Sequence, residues 1–195
     1  MPFADESPVA AVVDYRASWP AEFAAVAAEI GDLLGDTATA IDHVGSTSVP
    51  GLAAKDCIDV QVRVRTLDEE ALVGRFARGG FRCRPEPWNR GEVTGGQEFR
   101  KLVFAPPPGG RTANVHVREE GGANARFALL FRGYLRADAD ARRAWGAFKR
   151  RLAAEVPDLL AYGQIKAPAT EILMIAAECW SRSASAAETA DIPRS

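Results

Sequence analysis

Histidine, cysteine and lysine are all scarce in this chain of 195 residues, and each scarcity closes off a class of function. Two histidines, His43 and His116, cannot build a histidine-rich zinc site. Three cysteines, Cys57, Cys83 and Cys179, are odd in number and scattered. They give neither a disulfide framework nor metal-ligand spacing, and they fit a reducing compartment. Net charge is nearly absent: 24 Lys+Arg against 26 Asp+Glu leaves −2. That is no footprint for an extended nucleic-acid surface, although it leaves room for a local basic pocket. No window approaches the ~20 apolar residues that span a bilayer. Met1 to Ser7 carries two acids and lacks the basic and apolar regions of a signal peptide. A cytoplasmic protein with no membrane partner is the expectation. Only four of the basic residues are lysine and twenty are arginine. The bias reads as genomic composition, and it also suits bidentate binding of carboxylate or phosphate.

What is present is ordinary for a globular chain: 47% hydrophobic and 26% charged residues. Phe23, Val26, Ile30, Leu33 and Leu34 recur at helical spacing between Pro20 and Gly35. Thr39 to Val44 reads as a strand. Ile58, Val60, Val62 and Val64 alternate with Asp59, Gln61 and Arg63, the signature of a half-buried strand. Thr66 and Glu69 suggest a capping box at the head of a helix ending near Gly79. Pro85 to Gly96 reads as irregular loop, and Phe99 to Ala105 and Thr112 to Arg118 as two antiparallel strands. Three helical stripes follow, the last from Thr170 to Trp180. One α+β domain over 1–183 is expected, with a disordered tail at 184–195.

The loop Gly45-Ser46-Thr47-Ser48-Val49-Pro50-Gly51 is the most informative local feature. Glycine permits close backbone approach, and three hydroxyls with backbone N–H groups can cradle an anion. A plain turn between strands explains the composition equally well. Asp59, on the polar face of an otherwise apolar strand with Gln61 beyond it, adds weight to a binding role. His116 has two readings, a satisfied structural histidine or, with Asp59, an acid–base partner at neutral pH. In Phe99-Arg100-Lys101-Leu102-Val103, Arg100 or Lys101 can point inward, but not both from an undistorted strand.

The run from Asp42 through Gly45-Ser46-Thr47-Ser48-Val49-Pro50-Gly51-Leu52-Ala53-Ala54-Lys55, followed by Ile58-Asp59-Val60-Gln61-Val62, resembles the GrpB family (UPF0157 type). The likeness continues through Asn114-Val115-His116-Val117 and Phe131-Arg132-Gly133-Tyr134-Leu135-Arg136 to Tyr162 and Lys166. It implies the α+β nucleotidyltransferase-like (polymerase β-type) fold, a mixed or antiparallel sheet flanked by helices, with further helices at the C-terminus. Enzymes of that superfamily pair a Gly-Ser turn with a strand carrying two acids, and those acids hold Mg²⁺. Here Gly45-Ser46 and Asp59 match, which implies Asp59 as a ligand for Mg²⁺. The second acid position holds Gln61, and the strand expected to bring a third acid brings Asn114 and His116.

The expected catalytic set is therefore Asp59, His116 and Gln61. The expected phosphate-binding set is Gly45, Ser46, Thr47, Ser48, Lys55, Arg100, Lys101, Asn114, Arg132 and Lys166. The function so implied is binding, or reaction, of a nucleotide or other anionic small molecule. Two alternatives stand beside it: metal-independent acid–base or condensation chemistry in specialised metabolism through Asp59 and His116, and a non-catalytic ligand-binding domain.

Overall fold

The computed structural model describes residues 3–190. A short β1 (Val12–Val13) leads to α1 (Trp19–Leu34), β2 (Ala38–Val44), β3 (Ala54–Lys55), β4 (Ile58–Val64) and α2 (Glu69–Arg78). Then come β5 (Arg82–Cys83), β6 (Gly91–Thr94), β7 (Gln97–Arg100), β8 (Leu102–Ala105) and β9 (Ala113–Glu119). The C-terminal part is α3 (Ala123–Ala137), α4 (Ala139–Glu155) and α5 (Leu159–Ala190). Of the tail expected at 184–195, residues 191–195 lie outside the described residues. Among the described residues no helix is long and apolar enough to cross a membrane.

Alternation along β4 decides the layering. Ile58, Val60, Val62 and Val64 pack with Val115 and Val117 of β9 and with Leu102 and Phe104 of β8. Trp19, Val26, Ile30 and Leu34 of α1 and Leu72 and Phe76 of α2 cover that face. Each such side chain, once buried, stabilises the fold by roughly 1.5–3 kcal/mol. The opposite face of β4 and β9 is thereby left to their polar residues. The five-stranded sheet runs β2-β4-β9-β8-β5. All of its pairs are antiparallel except β4 with β9, which is parallel. That register sets Asp59 beside Asn114 and Gln61 beside His116. This is the α+β arrangement expected from the sequence, a mixed sheet flanked by helices, with the acid strand β4 in its interior and the Gly-Ser turn at the end of the neighbouring β2.

A second core joins the turn to the C-terminal helices. Val49 and Leu52 pack with Leu130, Phe131 and Leu135 of α3, Trp145 of α4, and Met174 and Ala177 of α5. Gly146 of α4 faces this region: a Cβ there would lie in ordinary van der Waals contact with Leu52 Cδ1 at 3.5 Å and Ala53 N at 3.9 Å.

Several local expectations are corrected. The cap of α2 is Asp68, whose side chain accepts from Ala71 N at 3.1 Å, and not Thr66. Leu67, between them, is buried instead, with its N–H donating to Glu119 Oε1 at 2.9 Å. The loop at 85–96 contains β6, which forms a hairpin with β7. What reads as one strand from Phe99 to Ala105 breaks at Lys101, because β7 pairs with β6 whereas β8 pairs with β9. Helix α5 begins at Leu159 and carries Pro168 in its interior. Proline lacks the N–H for the helical ladder, yet Tyr162, Met174 and Ala177 are buried on either side of it and hold the helix in place.

Candidate functional site

Gly45 has φ 67°, in the left-handed region open to glycine. The turn also has no room for a side chain there. A Cβ on Gly45 would overlap the Asp59 carboxylate and sit 2.9 Å from its Cγ. The Gly-Ser turn is thus pressed directly against the acid on β4. Helix α3 holds the turn from outside: Arg132 Nη1 donates to His43 O at 2.8 Å, and Arg136 donates twice to Ser48 O, at 2.7 and 3.1 Å.

The three hydroxyls have different fates. Thr47 and Ser48 are buried. Thr47 Oγ1 lies 3.0 Å from His43 Nε2, and Ser48 Oγ donates to Gly45 O at 2.6 Å. His43 stacks on Phe23, with ring centroids 4.6 Å apart, and burial lowers its pKa to about 4, so it shapes the turn as a neutral ring. Ser46 is half-buried, and its Oγ accepts from Lys149 Nζ at 2.8 Å.

Lys149 is the site residue that sequence reasoning missed. It is 3% exposed and also donates to Ala53 O at 2.5 Å. Burial, reinforced by Lys166, lowers its pKa to about 6, against the pull of Asp59. The signal was present in the sequence: Trp145, Lys149 and Leu152 stand at i, i+4 and i+7 on the buried stripe of α4. A lysine in that stripe is a departure from the pattern.

Asp59 is one-third exposed, its Oδ1 accepting from Asn114 Nδ2 at 3.3 Å. Burial alone would raise its pKa, but the His116 imidazole and the ammonium groups of Lys55 and Lys166 outweigh burial and lower it. His116 Nε2 stands 3.9 Å from Asp59 Oδ1, too far for a hydrogen bond. Burial, then Arg118 and Lys101, lower the pKa of His116 despite Asp59, which favours the neutral ring. Its Nδ1 is buried without a partner. Asn114 Oδ1 accepts from Arg84 Nη2 at 3.2 Å, and Arg84 in turn is gripped by Glu6 at 2.7 Å, so the N-terminal segment braces this edge. Cys57 Sγ also accepts from Asn114, and burial with Asp59 nearby pushes that thiol up to about 12, which keeps it from acting as a thiolate.

The remaining expected residues divide. Lys55 and Lys166 are half-buried and act on Asp59 electrostatically. Gln61 is fully buried: its amide donates to Ala125 O at 3.3 Å and accepts from Arg118 Nη1 at 3.0 Å. It can position neighbours but cannot touch a ligand. Lys101 points inward and pairs with Glu92 at 3.0 Å, whereas Arg100 is 66% exposed and faces Glu69 at 3.7 Å. Arg132 serves the turn through its hydrogen bond to His43 O. An open cavity of about 540 Å³ lies between the β6–β7 hairpin and residues 85–90, and none of the residues around Asp59 line it.

Glu92, from the unexpected hairpin, is a second carboxylate near His116. It is saturated by Arg118 Nε at 2.6 Å, Asn124 Nδ2 at 2.9 Å and Lys101, and Arg118 foremost outweighs its burial to lower its pKa to about 2. Among the described residues no three His, Cys, Asp or Glu side chains gather as a metal cage. Mg²⁺ favours several hard oxygen ligands. One free carboxylate, an imidazole and nearby ammonium groups do not fit a two-ion centre.

Residues 9–174 match the family model described as GrpB protein. The chain belongs to the GrpB family. A UPF0157 protein of Streptomyces coelicolor is 39% identical over 71% of this chain and 68% of its own length. A dephospho-CoA kinase of Mycolicibacterium paratuberculosis is 34% identical over 77% of this chain, which spans only 41% of that longer relative. Among solved structures, the conserved protein GrpB of Enterococcus faecalis superposes with TM-score 0.70 at 27% identity, covering 87% of this chain and 99% of that one.

Proposed function

We propose that this GrpB-family chain binds a nucleotide, or another small molecule bearing phosphate, over the Gly45–Ser46 turn with Asp59 at the centre. The observation that carries the reading is the pairing of Ser46 Oγ with Lys149 where the glycine backbone meets Asp59. A half-exposed hydroxyl backed by an amine, with Lys55 and Lys166 beside it, is suited to phosphate oxygens. Calorimetric titration with ATP, GTP, CTP and UTP tests it. Saturable binding to at least one nucleotide, weakened in Ser46→Ala, is expected. Heat absent with all four would refute the nucleotide form of the reading.

A second reading rests on His116. A neutral imidazole beside Asp59, which is itself oriented by Asn114, is equipped to take a proton from a nucleophile. On this reading the same pocket carries metal-independent acid–base or condensation chemistry on an anionic substrate. His116→Gln would then abolish turnover while leaving ligand affinity intact. A protein that binds ligand but turns over nothing would instead be a binding domain alone.

A further inference from the structure

The chain has four lysines, and the fold brings all of them to the polar face of β4 and β9. Lys55 and Lys166 act on Asp59, Lys149 holds Ser46, and Lys101 lies beside His116. None is exposed. By contrast the described arginines serve mostly as surface and structural partners: Arg63 with Asp42, Arg82 with Asp5, Arg111 with Glu22 and Asp56, Arg126 with Glu178. Compact ammonium groups are thus concentrated where the superfamily pattern calls for a metal ion, and the carboxylates such an ion needs are missing or already paired.

Resting on the reading above, we infer that this pocket binds a polyphosphate group without a divalent metal, lysine ammonium groups supplying the charge and Lys149 taking up a proton as the anion enters. Lys55 and Lys166 are placed to meet the anion directly, being half-buried at the rim around Asp59. Lys149 stands behind Ser46 and is a positioning residue. Its surroundings explain the proton. Facing it are Ser46 and Ala53 O from the turn region, Asp59 from β4, Lys55 from β3, Lys166 from α5 and Arg150 from its own helix. Three cations against one carboxylate, in a dry setting, favour the free amine. A phosphate arriving at Ser46 reverses that balance, and the proton comes from solvent.

The experiment is isothermal calorimetry on the full chain with inorganic tripolyphosphate and with ATP, each in EDTA and in excess Mg²⁺. The two probes separate a bare polyphosphate from a nucleotide as the source of the chemistry. Binding in EDTA at least as tight as in Mg²⁺ is expected. Repeating it at pH 7.5, a chosen condition, in buffers of different ionisation enthalpy should reveal uptake of about one proton per ligand. Lys149→Met should lose the proton uptake, and Lys55→Met and Lys166→Met, at half-buried positions that tolerate change, should each weaken binding by roughly tenfold or more. Binding that requires Mg²⁺ would overturn this inference and leave the phosphate reading standing. No binding of either probe under either condition would overturn both. Unchanged proton uptake in a folded Lys149→Met protein would remove Lys149 from the account.

Discussion

Replacing Lys149 by methionine should change how stability depends on pH more than it changes stability itself. In the folded chain the amine titrates near 6, against an ordinary lysine value of 10.5. Between those values the unfolded chain holds a proton that the folded chain lacks, so wild-type stability rises with pH through that window and falls as pH drops towards 6. Each pH unit inside the window is worth about 1.4 kcal/mol. Lys149 is almost fully buried, so solvent screening takes little from this. Methionine fills a similar volume and has no proton to lose. Urea unfolding of both proteins at pH 7 and pH 9 isolates the effect, because every other titrating group is shared. The stability of wild type relative to Lys149→Met should grow by about 2–3 kcal/mol between the two conditions. The offset between the proteins at either pH also contains the lost hydrogen bonds to Ser46 and Ala53 O and is not the test. A difference that stays constant from pH 7 to 9 would refute a buried, neutral Lys149.

Glu92→Gln should strand Arg118, which is 7% exposed, and cost about 3–5 kcal/mol in chemical denaturation. Glu92 is lowered from 4.5 to about 2, so its contribution is full above pH 4.5 and lost as pH falls towards 2. An acid titration of wild type should therefore lose about 3 kcal/mol from this group, and Glu92→Gln should lack that component. Gly45→Ala combines a left-handed φ with overlap on Asp59, and a loss of about 1–3 kcal/mol together with weakened ligand binding is expected. A variant as stable and as tight-binding as wild type would contradict the described turn. Cys57 should resist alkylation by iodoacetamide at pH 8 in the folded chain, and exposed Cys179 should react first, as peptide mass mapping would show.

The sheet was readable because β4 alternates strictly: each valine goes to α1 and α2, and each polar residue to the other face. Asp59 and Asn114 meet because β4 and β9 pair in parallel with those two residues side by side, a register that alternation alone does not fix. The turn was readable from its glycine and hydroxyls, but which hydroxyl stays available was not. That depends on His43 capturing Thr47 and on a carbonyl capturing Ser48, contacts set by tertiary packing. Glu92 was hidden because a strand of four residues between prolines and glycines has no periodicity to detect. Lys149 was hidden by the convention that a lysine on a helix points to solvent. Arg150 and Arg151 beside it do, and only the phase set by Trp145 and Leu152 distinguishes them.

The confinement of lysine to one face of the sheet has a practical side. A protease that cuts only after lysine finds its four targets buried or half-buried in the folded chain, whereas one that cuts after arginine meets exposed sites such as Arg143 and Arg151. Amine-directed labels of side chains are similarly restricted to the neighbourhood of Asp59 and His116. Cleavage or labelling at lysine therefore reports on the opening of this one region.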